Sequence, residues 1–221
     1  MYQQSPPQRW GATAASTGSL LGQVLGITGA GFLITAVTVY ITGALNLPTG
    51  LAIPAMLIGF IFLFAISGTR RNPALSLLMF YLFAICEGVG IAPVVTAYLR
   101  LDGPSVVLDA ATTTGLGMLT LAAVVGLTSF DYRRLSGFAF AALIGLVLVG
   151  IVSIFVNFLH PGVYAWLTLA VFTLLVLVDF ARVKAGGDGS TAVEIATSIY
   201  LDGINIFLAL LQIFGSRSRE D

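Results

Sequence analysis

The sequence has little charge: Lys, Arg, Asp and Glu make up 9% of its 221 residues, against about 25% in soluble domains. Apolar residues make up 57%, and the mean hydropathy is +0.99. So few charges cannot cover the surface of a water-soluble protein, which excludes an ordinary globular domain. The formal net charge is zero, so the basic footprint of nucleic-acid binding is missing and we expect no nucleic-acid partner.

Residues that build common active sites are scarce as well. The single histidine, His160, and the single cysteine, Cys86, provide neither an HExxH zinc site nor an intramolecular disulfide. The sequence has no GxSxG motif, and its AGGDGS segment lacks the lysine of a phosphate-binding loop. We therefore predict that the protein is not an enzyme and has no bound cofactor. Intramembrane aspartyl proteases remain an alternative, although their GxGD motif matches AGGD at 185–188 poorly.

Seven long apolar runs are present, separated by short polar breaks. A helix needs about 20 mostly apolar residues to cross a membrane, and continuously apolar runs favour helices over alternating barrel strands. The predicted spans are 21–45, 50–68, 74–98, 106–129, 136–159, 162–182 and 192–214. We thus expect an all-α, polytopic membrane protein with one domain at 20–215, a disordered or interfacial tail at 1–19 and a C-terminal tail at 216–221. Gly22 and Gly26 are expected to let the first helix pack closely.

Basic residues mark one side of the predicted membrane domain. Apart from Arg100 and two arginines in the C-terminal tail, they lie in the N-terminal segment or near the loops after the second, fourth and sixth spans: Arg9, Arg70, Arg71, Arg133, Arg134, Arg182, Lys184. The positive-inside rule therefore predicts a cytoplasmic N-terminus. The short loops favour a bacterial inner membrane as the surrounding bilayer. Length favours a full crossing by the seventh span, whereas the tail arginines favour a re-entrant form.

The last span carries a stripe of polar and small residues. Its members recur every three or four positions, which places them on one side of a helix: Glu194, Ser198, Asp202, Asn205, Ala209, Gln212. A charge at the centre of a spanning helix costs about 2.5–3.5 kcal/mol on insertion scales, so Asp202 should face protein or water rather than lipid. We predict that Ser198 and Asn205 lie beside it along an ion pathway.

Asp179 is a second acid within the spans, near the basic end of the sixth. The sixth and seventh spans are antiparallel and joined by a short loop, so Asp179 and Asp202 can face each other. Two close carboxylates do not both ionise easily, and the pair would therefore share a proton and respond to pH as a unit. Arg70 could hold the deprotonated pair as a counter-ion, or could simply anchor its helix at the lipid headgroups.

Glu87 is a third acid within the spans, in the segment FAICEGVGIAPVV. Gly88, Gly90 and Pro93 follow it, which predicts a weakened or kinked helix beside the carboxylate. Glu87 could line a cation pathway, or it could hydrogen-bond to a neighbouring helix while protonated. The sequence favours neither of these roles over the other.

The segments VDFARV and SIYLDGINIFLALLQIFG resemble the C-terminal signature of the Bax inhibitor-1 (transmembrane Bax inhibitor motif) family, and AICEGVGIAP resembles its third-helix pattern. The resemblance covers nearly all of the region that contains spans. It implies six helices around a central, relatively polar seventh, and a pH-sensitive calcium leak. Carried over by position, Asp179 and Asp202 are the pH sensor and the ligands of the metal ion, and Arg70 is the latch. Val178 stands where the family usually has tyrosine, which bears on pH tuning more than on the fold.

We therefore expect a passive cation pathway, with calcium as the transported ion, that opens or closes as Asp179 and Asp202 gain or lose protons. Oxygen ligands suit calcium, and pairs or rings of acids occur in cation pores. Two alternatives stay open: a regulatory protein that binds a membrane protease or another membrane partner, and a proton-coupled cation exchanger. A purely regulatory helix gains nothing from a buried charge, so Asp202 favours the pathway.

Overall fold

The computed structural model describes residues 10–128, 132–156 and 159–217, which form seven α-helices and one short 3-10 turn with no strand among them. The helices are α1 (Trp10–Ala44), α2 (Ala52–Gly68), α3 (Pro73–Leu101), α4 (Pro104–Leu127), α5 (Tyr132–Phe155), α6 (Pro161–Lys184) and α7 (Ala192–Arg217). Each contains a stretch that is long and apolar enough to cross a membrane. The prediction of an all-α protein with seven spans is therefore confirmed.

The predicted and observed boundaries differ by a few residues, except at the start of the first helix. We expected a tail at 1–19, but α1 already begins at Trp10, and residues 1–9 lie outside the described part. Extending an existing helix adds one hydrogen bond per residue without a new nucleation step, so residues 10–19 continue α1. At the other end, α7 is unbroken over 26 residues, about 39 Å, a length that favours a full crossing.

The seventh helix is the centre of the bundle. It packs against α1, α2, α3, α4 and α6, whereas α5 packs on the outside of α6 and does not approach α7 in the described part of the chain. Side chains on all sides of α7 are buried, among them Ile195, Ile199, Tyr200 and Leu211 at 0% exposure. The expected central position of the seventh helix is thus observed, with five of the other six helices in contact with it.

Tyr200 connects α7 to α1 and α3 at the middle of the bundle. Its hydroxyl lies 2.6 Å from Thr35 Oγ1, and Thr35 in turn donates to the Ala84 carbonyl oxygen at 3.1 Å. Because the single Thr35 proton is used in that bond, Tyr200 is the donor to Thr35. The Tyr200 ring packs at centroid distances of 5.3, 5.4 and 5.8 Å against three phenylalanines: Phe32, Phe80, Phe83. Every buried polar group in this chain of bonds is satisfied, as a membrane interior requires.

Glycines allow close helix packing at positions other than the predicted pair. A Cβ atom at Gly22 or Gly26 would meet no neighbouring atom within 4 Å, so the expectation of close packing there is wrong. A Cβ at Gly88 would lie 2.7 Å from Thr38 Cβ and 2.9 Å from the Thr35 carbonyl oxygen. Gly88 therefore serves a close contact with α1, and α3 continues through this position without interruption.

Lys184 joins the end of α6 to the end of α4. Its Nζ donates to the carbonyl oxygens of Val125 at 2.9 Å, Gly126 at 3.1 Å and Thr128 at 2.6 Å. The last carbonyls of a helix have no partner within the helix, and a basic side chain there satisfies them and offsets the helix dipole. This lysine therefore stabilises the basic end of the bundle.

Candidate functional site

Asp179 and Asp202 lie on neighbouring helices in the interior of the bundle. Asp179 is five residues before the end of α6 and Asp202 is ten residues after the start of α7, so both occupy the half nearest the α6–α7 loop. Their exposed fractions are 4% and 6%. The two carboxylates are close enough to interact electrostatically. The structure therefore brings together the two acids that the sequence pairs.

Each aspartate has one carboxylate oxygen without a partner. The Oδ2 atoms of Asp179 and Asp202 are both buried and accept no hydrogen bond from the described residues. The other oxygen of Asp179 lies 3.5 Å from Arg182 Nη1, and the Ser198 hydroxyl faces the same carboxylate. Buried polar groups are normally hydrogen-bonded, so two orphaned oxygens on adjacent helices indicate a place for a shared proton or a cation.

Arg182 is the cation beside the pair, and sequence reasoning did not assign it. It lies one turn after Asp179 on α6, its side chain is 31% exposed, and it also interacts electrostatically with Asp202. The i,i+3 spacing of opposite charges on a helix was the available signal. A cation at this distance stabilises the ionised form of a carboxylate, so Arg182 partly offsets the cost of a charge on the pair.

Arg70, the predicted latch, contacts the loop beside the pair rather than either carboxylate. Its Nη2 donates to the Gly189 carbonyl oxygen at 3.1 Å. The loop residues 186–189 all have positive φ, between 49° and 90°, a conformation that favours the three glycines among them. Asp188 completes the attachment, since it lies 3.2 Å from Arg133 Nη2 and accepts from the Tyr132 hydroxyl at 3.1 Å. The α6–α7 loop is thus held from both α5 and the end of α2.

Glu194 has a capping role. Thr191 N donates to Glu194 Oε2 at 2.8 Å, while Glu194 N donates to Thr191 Oγ1 at 3.2 Å. This reciprocal pair is a capping box, which satisfies free amide groups at the start of α7. The sequence TAVE at 191–194 has the pattern of a capping box. The helical spacing of the polar residues also places Glu194 on the stripe of α7.

The other members of the stripe are buried or half-buried in the bundle and do not line one open channel. Asp202 and Ala209 are buried, whereas Ser198, Asn205 and Gln212 are half-buried. Asn205 Nδ2 donates to the Leu201 carbonyl oxygen of its own helix at 2.8 Å. Its amide is therefore partly satisfied within α7, and the roles of Ser198 and Asn205 in an ion pathway stay predictions.

Glu87 lies in the middle of α3, half-buried and within electrostatic range of Tyr200. Among the residues that the structure describes, no group of three or more His, Cys, Asp or Glu side chains is placed to hold a metal ion. Asp179 and Asp202 alone offer four carboxylate oxygens, fewer than the six to eight that calcium prefers. Their predicted role as metal ligands therefore fits a passing ion better than a resident one.

Comparisons with known proteins agree with this architecture. Residues 17–219 match the family model described as "Inhibitor of apoptosis-promoting Bax1". An uncharacterized membrane protein of Streptococcus pyogenes serotype M3 is 30% identical over 172 residues, 73% of this chain and 72% of its own length. An uncharacterized protein of Pseudomonas aeruginosa is 31% identical over 169 residues, 75% of each chain, and an uncharacterized membrane protein of Vibrio cholerae is 25% identical over 190 residues, 85% and 84%. The chain is an integral membrane protein, and it belongs to the Bax inhibitor-1 family.

Proposed function

We propose that this protein is a pH-sensitive passive leak for calcium or a similar cation, gated by Asp179 and Asp202. The observation that carries the proposal is the pair of buried carboxylates on adjacent helices, each with an orphaned oxygen. A charged group inside a membrane protein is costly, and packing alone gives no reason to bury two of them on adjacent helices. A site that exchanges protons and admits a cation does give such a reason.

The contacts of the pair suggest how the gate responds to protons. Ionised carboxylates attract Arg182, which lies on α6 and also interacts with Asp202 of α7, and Arg70 fastens the adjoining loop at Gly189. Protonation removes the attraction between the pair and Arg182 and loosens this end of the bundle. In this mechanism the leak increases as the pH falls, and Arg70 acts as a latch on the loop.

The position of the cavities supports a closed form of the gate. One cavity has a volume of about 690 Å³ and lies among α1, α3, α4 and α7, and a second of about 310 Å³ adjoins it. Neither is lined by Asp179 or Asp202. In the proposed mechanism, a rearrangement of α6 and α7 would have to open a path between the aspartate pair and these cavities.

Calcium flux into liposomes, measured against pH, tests the proposal. We expect the wild-type flux to rise with acidification, and we expect Asp179→Asn and Asp202→Asn to abolish most of this pH dependence. Asp109→Asn is a matched control, because Asp109 is an exposed carboxylate of α4 outside the pair. A wild-type flux that is independent of pH, left unchanged by both substitutions, would rule out the di-aspartyl gate.

Two further measurements separate the leak from its alternatives. A pH-sensitive dye inside the liposomes reports proton movement, and an exchanger would move protons in fixed proportion to calcium whereas a leak would not. Copurification from native membranes addresses the regulatory alternative. A membrane protease that copurifies with a protein lacking any flux would favour regulation over transport.

A further inference from the structure

The half of the bundle farther from the α6–α7 loop contains a crevice that the aspartate pair does not line. Its volume is about 690 Å³, and α1, α3, α4 and α7 line it. The helices α1 and α4 face each other across it without contact. Most of the lining is apolar, including Phe32, Val39, Ile91, Val95, Ile204 and Phe207. Leu33 and Tyr40, also in the lining, are 69% and 76% exposed, so the crevice opens sideways towards the membrane.

A smaller, more polar cavity adjoins this crevice at the end near the last turns of α1 and α3. Its volume is about 310 Å³, and it shares Gly43, Thr96 and Arg100 with the larger one. Its lining adds three polar side chains: Thr42, Asn46, Thr49. Arg100 is the one charged residue that lines either cavity in the described part of the chain. Together the two cavities form an amphiphilic site, apolar towards the middle of the membrane and polar with a cation at its surface.

The depth of the site matches one leaflet of a bilayer. Tyr40 lies four residues before the end of α1 and Arg100 one residue before the end of α3, a level where tyrosine and arginine contact headgroups. From Tyr40 the lining follows α1 inward to Gly29, about 16 Å along the helix axis. Half of the hydrocarbon core is about 15 Å thick, so an acyl chain anchored at Arg100 would reach the inner end of the crevice.

We propose that the crevice binds an anionic phospholipid of the surrounding leaflet, with the phosphate at Arg100 and one acyl chain between α1 and α4. The charge of the site selects the headgroup, because the described residues of its lining include a guanidinium for the phosphate and no carboxylate for the ammonium of a zwitterionic lipid. The proposal is independent of the cation leak, since neither Asp179 nor Asp202 lines the site.

A photoactivatable phosphatidylglycerol with a diazirine in its acyl chain tests the proposal on the wild-type protein in vesicles. After illumination, mass spectrometry of the peptides locates the label. We expect label on the crevice-facing residues of α1 and α4. The phosphatidylcholine with the same chains should label them about fivefold less, as expected for the loss of one favourable charge interaction at the membrane surface. Label spread evenly over the outer faces of α2 and α5, as from bulk lipid, would overturn the site.

Two glycines of α4 provide a matched pair of variants. Gly115 lines the crevice and Gly117 does not, and a Cβ at either position meets no atom within 4 Å. We expect Gly115→Leu to fill the crevice and lose most of the label, and Gly117→Leu to keep it. Equal labelling of the two variants would contradict the proposal, and circular dichroism checks that both are folded.

Arg100→Gln tests the headgroup contact separately. We expect it to remove the preference for phosphatidylglycerol over phosphatidylcholine while leaving some label in the crevice. Arg71→Gln is the control, because Arg71 is an exposed arginine at the opposite end of the bundle. A preference that survives in Arg100→Gln, or that is lost equally in Arg71→Gln, would overturn the assignment of the phosphate to Arg100.

Discussion

Arg182 is the residue that most changes the interpretation of the site. Without it, Asp179 and Asp202 would be two buried acids with no nearby cation among the described residues. With its guanidinium 3.5 Å from Asp179, Arg182 favours the ionised state of the pair. The side chain of Arg182 is partly exposed, so it links two buried carboxylates with the surface of the bundle.

Replacing Arg182 with glutamine should shift the pH response of the leak. The pair then lacks the cation that favours its ionised form, so the proposed leak should open at a higher pH. We expect the pH midpoint of calcium flux in liposomes to rise. Arg182→Lys keeps the charge and should keep most of the wild-type response.

Arg70→Gln provides the comparison that separates the two arginines. Arg70 contacts the Gly189 carbonyl oxygen, so its loss should raise the flux at every pH by loosening the loop, with a smaller change in midpoint. A shift in midpoint as large as that of Arg182→Gln would mean that Arg70 acts directly on the carboxylates, which would contradict the role that we assign to it.

The sequence allowed the pair to be predicted but not its partners. Helical spacing and the antiparallel order of the last two spans are enough to bring Asp179 and Asp202 together. The contacts of Arg70 depend on the loop at 186–189, whose positive φ angles turn the Gly189 carbonyl oxygen towards α2. Spacing rules specify the side of a helix on which a residue lies, but not which atoms meet across a loop.

At the scale of the elements, the contact between α1 and α3 depends on Gly88. A methyl group there would collide with Thr38 and with the backbone oxygen of Thr35, and backbone cannot move aside as readily as a flexible side chain. We expect Gly88→Ala to destabilise the protein by about 1–3 kcal/mol, the usual range for overpacking. Thermal unfolding in detergent, followed by circular dichroism, measures the change.

Gly26→Ala is the matched control on α1. Its Cβ has no neighbour within 4 Å, and alanine is the better helix former by about 1 kcal/mol, so this variant should be as stable as wild type or more so. A loss of stability in Gly26→Ala similar to that in Gly88→Ala would show that the first helix packs through Gly22 and Gly26 after all.

The neighbours of each helix were less predictable than the helices themselves. The length of an apolar run identifies a span. It does not identify the side of the helix that packs against protein, because side chains that face lipid and side chains that face protein can both be apolar. Only polar residues that must avoid lipid indicate an inward face, and in α7 such residues form a stripe that includes Asp202 and Asn205. The peripheral position of α5 has no such signal, because its span carries few polar side chains that need burial.

At the scale of the whole molecule, the orientation in the membrane stays a prediction from the basic residues. Gly50 and Gly68 are near opposite ends of α2, and a Cβ at either meets no neighbour within 4 Å. In a Cys86→Ser background, we expect a membrane-impermeant maleimide to label Gly68→Cys from the cytoplasmic side and Gly50→Cys from the other side. Sealed vesicles of both orientations, prepared from a bacterial host, provide the measurement.

The Cys86→Ser protein without a further substitution gives the background of that experiment. Labelling of Gly50→Cys from the cytoplasmic side and of Gly68→Cys from the opposite side would reverse the orientation. The aspartate pair would then respond to the pH outside the cytoplasm. Labelling of both positions from one side would contradict a full crossing by α2.

The central position of α7 also has a consequence for how the protein is made. A ribosome completes the six other helices before it adds α7, so the growing chain first enters the membrane as a shell without its central helix. Tyr200 and the surrounding phenylalanines can meet only after α7 arrives. Assembly of the interior therefore has to wait for α7, and a chain interrupted before α7 would leave Asp179 and its α6 facing an unfilled centre.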